Sequence, residues 1–330
     1  MTLPPLAWAS LLLLALAFAL TACGPLLDRR ADLKEAAAER RNPPLGRIFD
    51  VDGRAVHAVV TGEGPDLVLI HGASGNVRDW TFDFVDRVKD RYRVIVLDRP
   101  GLGWSEQVDP SLDRPGGTRA DSPAVQARHL AKAAAMLGAD RPIVVGQSYG
   151  GAVALAWALE ADPAAIVSVS GATQPWPGEL SWIYRVTGSS LGGRVVIPFF
   201  AAFPPRGQVR DALAAIFAPQ AVPEGYADYV GTGLILRRTA FRANARQVSN
   251  LKAELRGMAP RYPTIDVPVE IVHGTEDGVV PLEIHAPATA AAIPGARLTE
   301  LPGIGHMPHH AAPDAVIAAI DRAAARAGLR

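Results

Sequence analysis

Apolar and polar positions fall into alternating blocks along most of the chain. From residue 46, "GRIFDVDGRAVHAVVTG" carries two half-apolar runs on either side of Asp52-Gly53. Asp-Gly suits the left-handed conformations of a tight turn, so the stretch predicts a hairpin. Continuous apolar runs follow: "DLVLIHG" at 66–72, "RVIVLDR" at 93–99, "RPIVVGQ" ending at Gln147, "AIVSVSG" at 165–171 and "VPVEIVHG" at 267–274. Such runs are expected of strands buried on both faces. Helical patterns separate them near 77–89, 122–137 and 149–161, then from about 281 and over 313–327, with a short strand near 297–301. Ser122-Pro123 reads as an N-cap followed by proline in the first turn. Strands alternating with helices predict an α/β fold: a mostly parallel central sheet with helices on both faces.

The alternation breaks between 175 and 262. This stretch has no buried-strand pattern and holds Trp176, Trp182, Tyr184, Phe199, Phe200, Phe203, Phe217, Tyr226, Tyr229 and Phe241 in helix-like pieces split by Gly and Pro. It reads as a helical cap inserted into a core made of 46–174 and 263–330. An aromatic-rich insertion over the carboxyl edge of a sheet is expected to cover a pocket, with Trp176 and Trp182 helping to select the substrate.

The N-terminus has a different pattern. No charged residue occurs in the first 22 positions, and Leu6 to Leu20 is an apolar run. It is short for a bilayer span and suits a signal-peptide core, although no Lys or Arg precedes it. Leu20-Thr21-Ala22-Cys23 resembles the lipobox of bacterial lipoproteins. The resemblance implies a signal peptide over 1–22, lipidation of Cys23, export, and anchorage to a bacterial membrane on its periplasmic or extracellular face. The lack of aspartate after the cysteine (Gly24-Pro25) implies onward transport to an outer membrane where there is one. Cys23 is the sole cysteine, so no intramolecular disulfide can form. "DRRADLKEAAAERR" at 28–41 reads as a solvated, partly helical spacer within a lipid-anchored tether over 23–45.

Composition narrows the classes. The 330 residues are 49% hydrophobic and 20% charged with a formal net charge of zero. That fits a globular protein with a large core, and gives no electrostatic reason to expect nucleic acid as a partner.

The chemistry centres on Gly146-Gln147-Ser148-Tyr149-Gly150, a G-x-S-x-G sequence between a predicted strand and a predicted helix. A serine on such a sharp turn projects its hydroxyl above the sheet, next to the unpaired N–H groups of a helix start. Further motifs stand in order along the chain. They are His71-Gly72-Ala73-Ser74-Gly75, Asp98-Arg99-Pro100-Gly101-Leu102-Gly103-Trp104-Ser105, Gly274-Thr275-Glu276-Asp277-Gly278-Val279-Val280-Pro281 and Gly305-His306. Together they resemble the α/β-hydrolase family over roughly residues 46 to 328. The resemblance implies a triad of Ser148, Asp277 and His306, with the backbone N–H groups of Ala73 and Tyr149 as the oxyanion hole. A serine hydroxyl needs a base to attack a carbonyl, histidine supplies one near neutral pH, and a carboxylate orients the ring.

Of the other histidines, His57 and His129 read as structural, and His71 as a brace for the oxyanion loop. His273 and His285 flank the acid loop. His309 and His310 raise the thought of a metal, but H-E-x-x-H is absent and neither a metal nor a cofactor is expected. Asp98 reads as a turn-shaping residue. The expected activity is a serine hydrolase acting on a small apolar carboxylic ester or lactone. C–C bond hydrolysis, acyl transfer and peracid formation use the same triad and stay open. Epoxide hydrolases and haloalkane dehalogenases on this scaffold use an aspartate nucleophile, which serine at 148 argues against. A non-catalytic, lipid-anchored binding protein is the alternative of another class.

Overall fold

The computed structural model describes residues 24–329. Among them, one eight-stranded sheet runs in the order β1-β2-β4-β3-β5-β6-β7-β8. β1 (Arg47–Val51) and β2 (Arg54–Thr61) form an antiparallel hairpin. Its turn residues Asp52 and Gly53 both have positive φ, 54° and 78°. β2 then pairs antiparallel with β4 (Arg93–Leu97). β4, β3 (Asp66–Ile70), β5 (Ile143–Gln147), β6 (Ala165–Val169), β7 (Val269–Gly274) and β8 (Arg297–Leu301) are mutually parallel.

The apolar runs are continuous because each face of the sheet has its own core. Val68 and Ile70 of β3 pack with Val144 and the helix Tyr149–Glu160 on one side. Leu67 and Leu69 pack with Trp80, Phe84 and the C-terminal helix Pro313–Arg326 on the other. The edge strand β8 is partly exposed and lacks such a run. The helix expected near 77–89 is two short ones, Arg78–Thr81 and Phe84–Val88, broken at Phe82-Asp83.

Between β6 and β7 the chain is helical. It passes through Trp182–Thr187, a continuous helix 190–202 that includes a π turn at Gly192–Val196, Arg206–Phe217, two short helices, and the long helix Arg238–Met258. Buried arginines seat the long helix on the core. Arg246 donates to the carbonyls of Leu112, Arg114 and Pro115, while Gln247 accepts from Arg99 and donates to Pro100 O. These bonds offset part of the cost of burying the two guanidinium groups, although Arg99 Nε and Nη1 and Arg246 Nε are left without a partner among the described residues.

Residues 24–41 correct the expectation of a solvated spacer: they form one helix packed against the rest of the molecule. Ala31 is fully buried, and Ala38, two turns on, nearly so. The acidic residues meet cations distant in sequence: Asp28, Asp32 and Glu35 surround Arg238, and Glu39 pairs with Arg237 at 3.0 Å. The expected signal peptide 1–22 and Cys23 lie outside the described residues.

Candidate active site

Ser148 occupies the step from β5 to the helix Tyr149–Glu160. Its backbone, φ 54° and ψ −119°, is strained for a residue with a Cβ. The flanking glycines are there for space: a Cβ at Gly146 would lie 2.0 Å from Gly150 O, and one at Gly150 would lie 2.5 Å from Ile70 O. The turn is fixed by Ser148 N–H donating to Val169 O at 3.0 Å, and by Ser148 O accepting from Gly151 and Ala172. The strain is thus held by a rigid frame, and Ser148 lines a cavity of about 310 Å³.

His306 follows β8 and lines the same cavity. Its Nδ1 lies 2.8 Å from Asp277 Oδ2. Asp277 sits in the loop after β7, where its Oδ1 accepts from Val279 N at 2.9 Å and Val280 N at 2.8 Å. Burial opposes ionisation of this carboxyl. The hydrogen bonds from His273 and His306 outweigh burial and hold its pKa well below the usual range. An ionised Asp277 keeps a proton on His306 Nδ1 and leaves Nε2 as the basic nitrogen. That Nε2 is 3.3 Å from the side-chain amide nitrogen of Gln147, the residue preceding Ser148, and His306 and Ser148 line the same cavity. The neighbouring carboxylate, Glu276, is exposed; its N–H donates to Ile304 O.

The loop after β3 brings Gly72, Ala73, Ser74 and Gly75 to the cavity. Ser74 has φ 55°, and Asn244 of the long helix fixes it through Ser74 N–H to Asn244 Oδ1, 2.7 Å, and Asn244 Nδ2 to Ser74 Oγ, 2.9 Å. His71 braces the loop from below: Nδ1 lies 2.9 Å from Gly72 O, and Nε2 accepts from Arg99 N at 3.0 Å. Burial lowers its pKa to about 4, so it stays neutral. Tyr149 contributes no side chain to the cavity. Its ring is buried beneath the Arg99 guanidinium, 4.0 Å from the ring centre, while its N–H lies at a helix start, where intrahelical acceptors are lacking.

Asp98 ties three segments together. It accepts from Val77 N at 2.7 Å and Trp104 N at 2.8 Å, and its Oδ2 is 2.7 Å from His57 Nδ1. His285 accepts from Thr173 N and Gln174 N. The residue that sequence reasoning undervalued is His273. Its Nε2 lies 3.2 Å from Asp277 Oδ2 and 2.7 Å from Val280 O, making it a second partner of the acid. Its place at the end of a strand, four residues before Asp277, is the signal that could have found it. Asp79, His309 and His310 also converge, with one potential ligand atom each within 4.8 Å. The Asp79 carboxylate receives Tyr226 OH at 2.8 Å, His310 Nε2 at 2.9 Å and His309 Nε2 at 3.2 Å, while His309 Nδ1 is buried without a hydrogen-bond partner among the described residues.

The far wall of the cavity comes from the helical segment after β6. Leu213, Ile216, Phe217, Val230, Ile235 and Leu236 make it largely apolar. Trp176 and Trp182, expected to contribute, do not line it. Trp176 packs beside His285, and Trp182 is 66% exposed on the outer surface.

The sequence profile of the Alpha/beta hydrolase family matches residues 67–319. Haloalkane dehalogenase 2 of Mycobacterium tuberculosis is 26% identical over 298 residues, covering 84% of this chain and 94% of that protein. An alpha/beta hydrolase fold protein from Burkholderia ambifaria superposes with a TM-score of 0.66 at 24% identity, covering 84% of this chain and 97% of that one. The esterase RhEst1 from Rhodococcus sp. superposes with a TM-score of 0.62 at 22% identity, covering 84% and 98%.

Proposed function

The chain belongs to the alpha/beta hydrolase family, and from that premise we propose that it is a serine hydrolase forming an acyl-enzyme on Ser148. The observation that carries the reading is the 2.8 Å contact between His306 Nδ1 and a carboxylate held ionised, on a ring that shares its cavity with a strained serine. Ser148 Oγ attacks the carbonyl carbon while His306 Nε2 takes its proton. Asp277 stabilises the resulting imidazolium without itself accepting the proton. The N–H groups of Ala73 and Tyr149 receive the oxyanion, each worth about 10²–10³ in turnover. His306 then protonates the leaving group. Water, deprotonated by the same nitrogen, releases the acid and restores Ser148.

The substrate is a carboxylic ester or lactone with an apolar acyl group, because the wall opposite Ser148 offers aliphatic and aromatic side chains. Likeness to a haloalkane dehalogenase does not carry that chemistry over: halide displacement on this scaffold needs a carboxylate nucleophile, and position 148 is serine. C–C bond hydrolysis, acyl transfer and peracid formation are alternatives on the same three residues, whereas a non-catalytic binding role would leave the His306–Asp277 pair beside Ser148 without use. In this reading 46–174 and 263–330 form the catalytic core and 175–262 the cap. The chain is exported, with 1–22 as its signal peptide and a lipid on Cys23 anchoring it to a bacterial membrane. The test is a panel of p-nitrophenyl esters and lactones of graded chain length. Turnover should favour apolar acyl groups and vanish in Ser148→Ala; equal turnover in that variant would exclude the serine mechanism.

A further inference from the structure

The helix 190–202 is apolar on both sides. Ile197, Ala201 and Ala202 are buried on its inner face. Outward, Leu191, Val195, Phe199 and Phe203 recur every fourth residue along the helix and its end, with exposures of 71%, 42%, 52% and 46%. The preceding helix adds Trp182 and Val186, again four apart and exposed. Phe199 and Phe203 stack with ring centres 5.3 Å apart, so the outer stripe is continuous at that end. A helix apolar all round is stable against water only if its second face is also covered, and a patch of this kind marks an interaction surface.

The start of the described chain indicates what covers it. Leu27 of the 24–41 helix packs on Ala201 and Ala202. Arg30 donates to Ala202 O at 2.9 Å and lies 4.5 Å above the Phe203 ring. Gly24, where the described residues begin, is three residues before Leu27, about 5 Å along a helix axis. Cys23, which in the reading above carries the lipid, immediately precedes Gly24 in the sequence, so the proposed anchor is attached next to this patch. Leu26 beside it is also exposed, as are Arg29 on the 24–41 helix and Arg194 on the 190–202 helix, cations that suit anionic headgroups. Among the described residues no helix is long and apolar enough to cross a membrane, so the patch is suited to lying on a bilayer.

We propose that the outer face of Trp182–Thr187 and 190–202 is an interfacial docking surface for a phospholipid bilayer, holding the cavity-bearing helices against the membrane to which, in the reading above, a lipid on Cys23 anchors the chain. The surface acts by immersing Trp182, Leu191 and Phe199 among the upper acyl chains while Arg29 and Arg194 stay with the phosphates. This docking is independent of the hydrolytic chemistry.

Trp182 reports on it. The full chain is reconstituted into 3:1 phosphatidylcholine–phosphatidylglycerol vesicles with or without brominated acyl chains, and the fluorescence of Trp182→Phe is subtracted to isolate one indole of the six. Bromolipid should quench that component at least two-fold. In Leu191→Asp/Phe199→Asp the quenching should fall at least three-fold while the chain still floats with the vesicles. Far-UV circular dichroism and a thermal melt serve as the folding control and should be equal in both proteins. Absence of quenching in floating wild-type chain overturns the proposal, and so does quenching that the double substitution leaves unchanged. A stable dimer whose formation buries Trp182 from bromolipid would assign the face to a second copy instead. None of these outcomes depends on Ser148 chemistry, which the ester panel tests separately.

Discussion

Replacing Asp277 by asparagine exchanges one carboxylate oxygen for an NH₂ group, and the surroundings dictate which. The N–H groups of Val279 and Val280 both point at Oδ1, so the amide oxygen must stay there. The NH₂ then takes the Oδ2 position, 2.8 Å from His306 Nδ1 and 3.2 Å from His273 Nε2. Two donors cannot share that contact, so His306 must move its proton to Nε2 and lose its ability to accept from Ser148. Neutralising the acid in a serine protease triad costs about 10⁴ in turnover, equivalent to ~5 kcal/mol of barrier. We expect a loss of that order in kcat for Asp277→Asn, with KM little changed. The donor clash with His273 should also cost roughly 1–3 kcal/mol of stability, visible as a lower melting temperature of a folded protein. Glu276→Gln, on an exposed side chain, should stay within about ten-fold of wild type. The assay is turnover of both variants on one activated ester, with thermal melts. A crippled Glu276→Gln beside a near-normal Asp277→Asn would refute the assignment of the acid.

Other outcomes follow from the same geometry. Ile216→Trp should fill part of the cavity and lower kcat/KM for octanoate relative to butyrate by ten-fold or more, whereas Trp182→Ala should leave that ratio unchanged; the p-nitrophenyl ester series measures both. His71, His285 and His309 are held neutral by burial with pKa values lowered to about 4. Unfolded histidine binds its proton below about 6.5. The unfolded state therefore takes up more protons between pH 6.5 and 4, and stability should fall as pH drops through that window. Urea titrations should give a proton uptake on the order of two to three near pH 5, and a flat profile would contradict the burial argument. Cys23→Ser should abolish fatty-acid labelling and leave unprocessed precursor; normal labelling would rule out Cys23 as the attachment site.

The core of the fold was legible because its strands are buried on both faces, and β3 through β7 each print as an apolar run flanked by turn residues. The turn at Ser148 was legible for a related reason: Gly146 and Gly150 are fixed by backbone collisions that no larger residue avoids. What stayed hidden depends on partners far away in the chain. The helix 24–41 looked like a spacer because its acids find Arg237 and Arg238 some two hundred residues on. Asn244 gains its role from Ser74, 170 residues away in the chain, a contact that spacing does not encode. Trp182 was misassigned because counting aromatics in a helical segment does not tell which way a helix faces.

The central claim is that Ser148 is the nucleophile, and a fluorophosphonate tests it most directly, since an activated serine attacks its phosphorus, displaces fluoride and stays phosphonylated. Peptide mass analysis of the labelled full chain should show one adduct, on Ser148, absent from Ser148→Ala and slowed by orders of magnitude in His306→Ala. No adduct on folded protein, or an adduct on a different serine, would contradict the account.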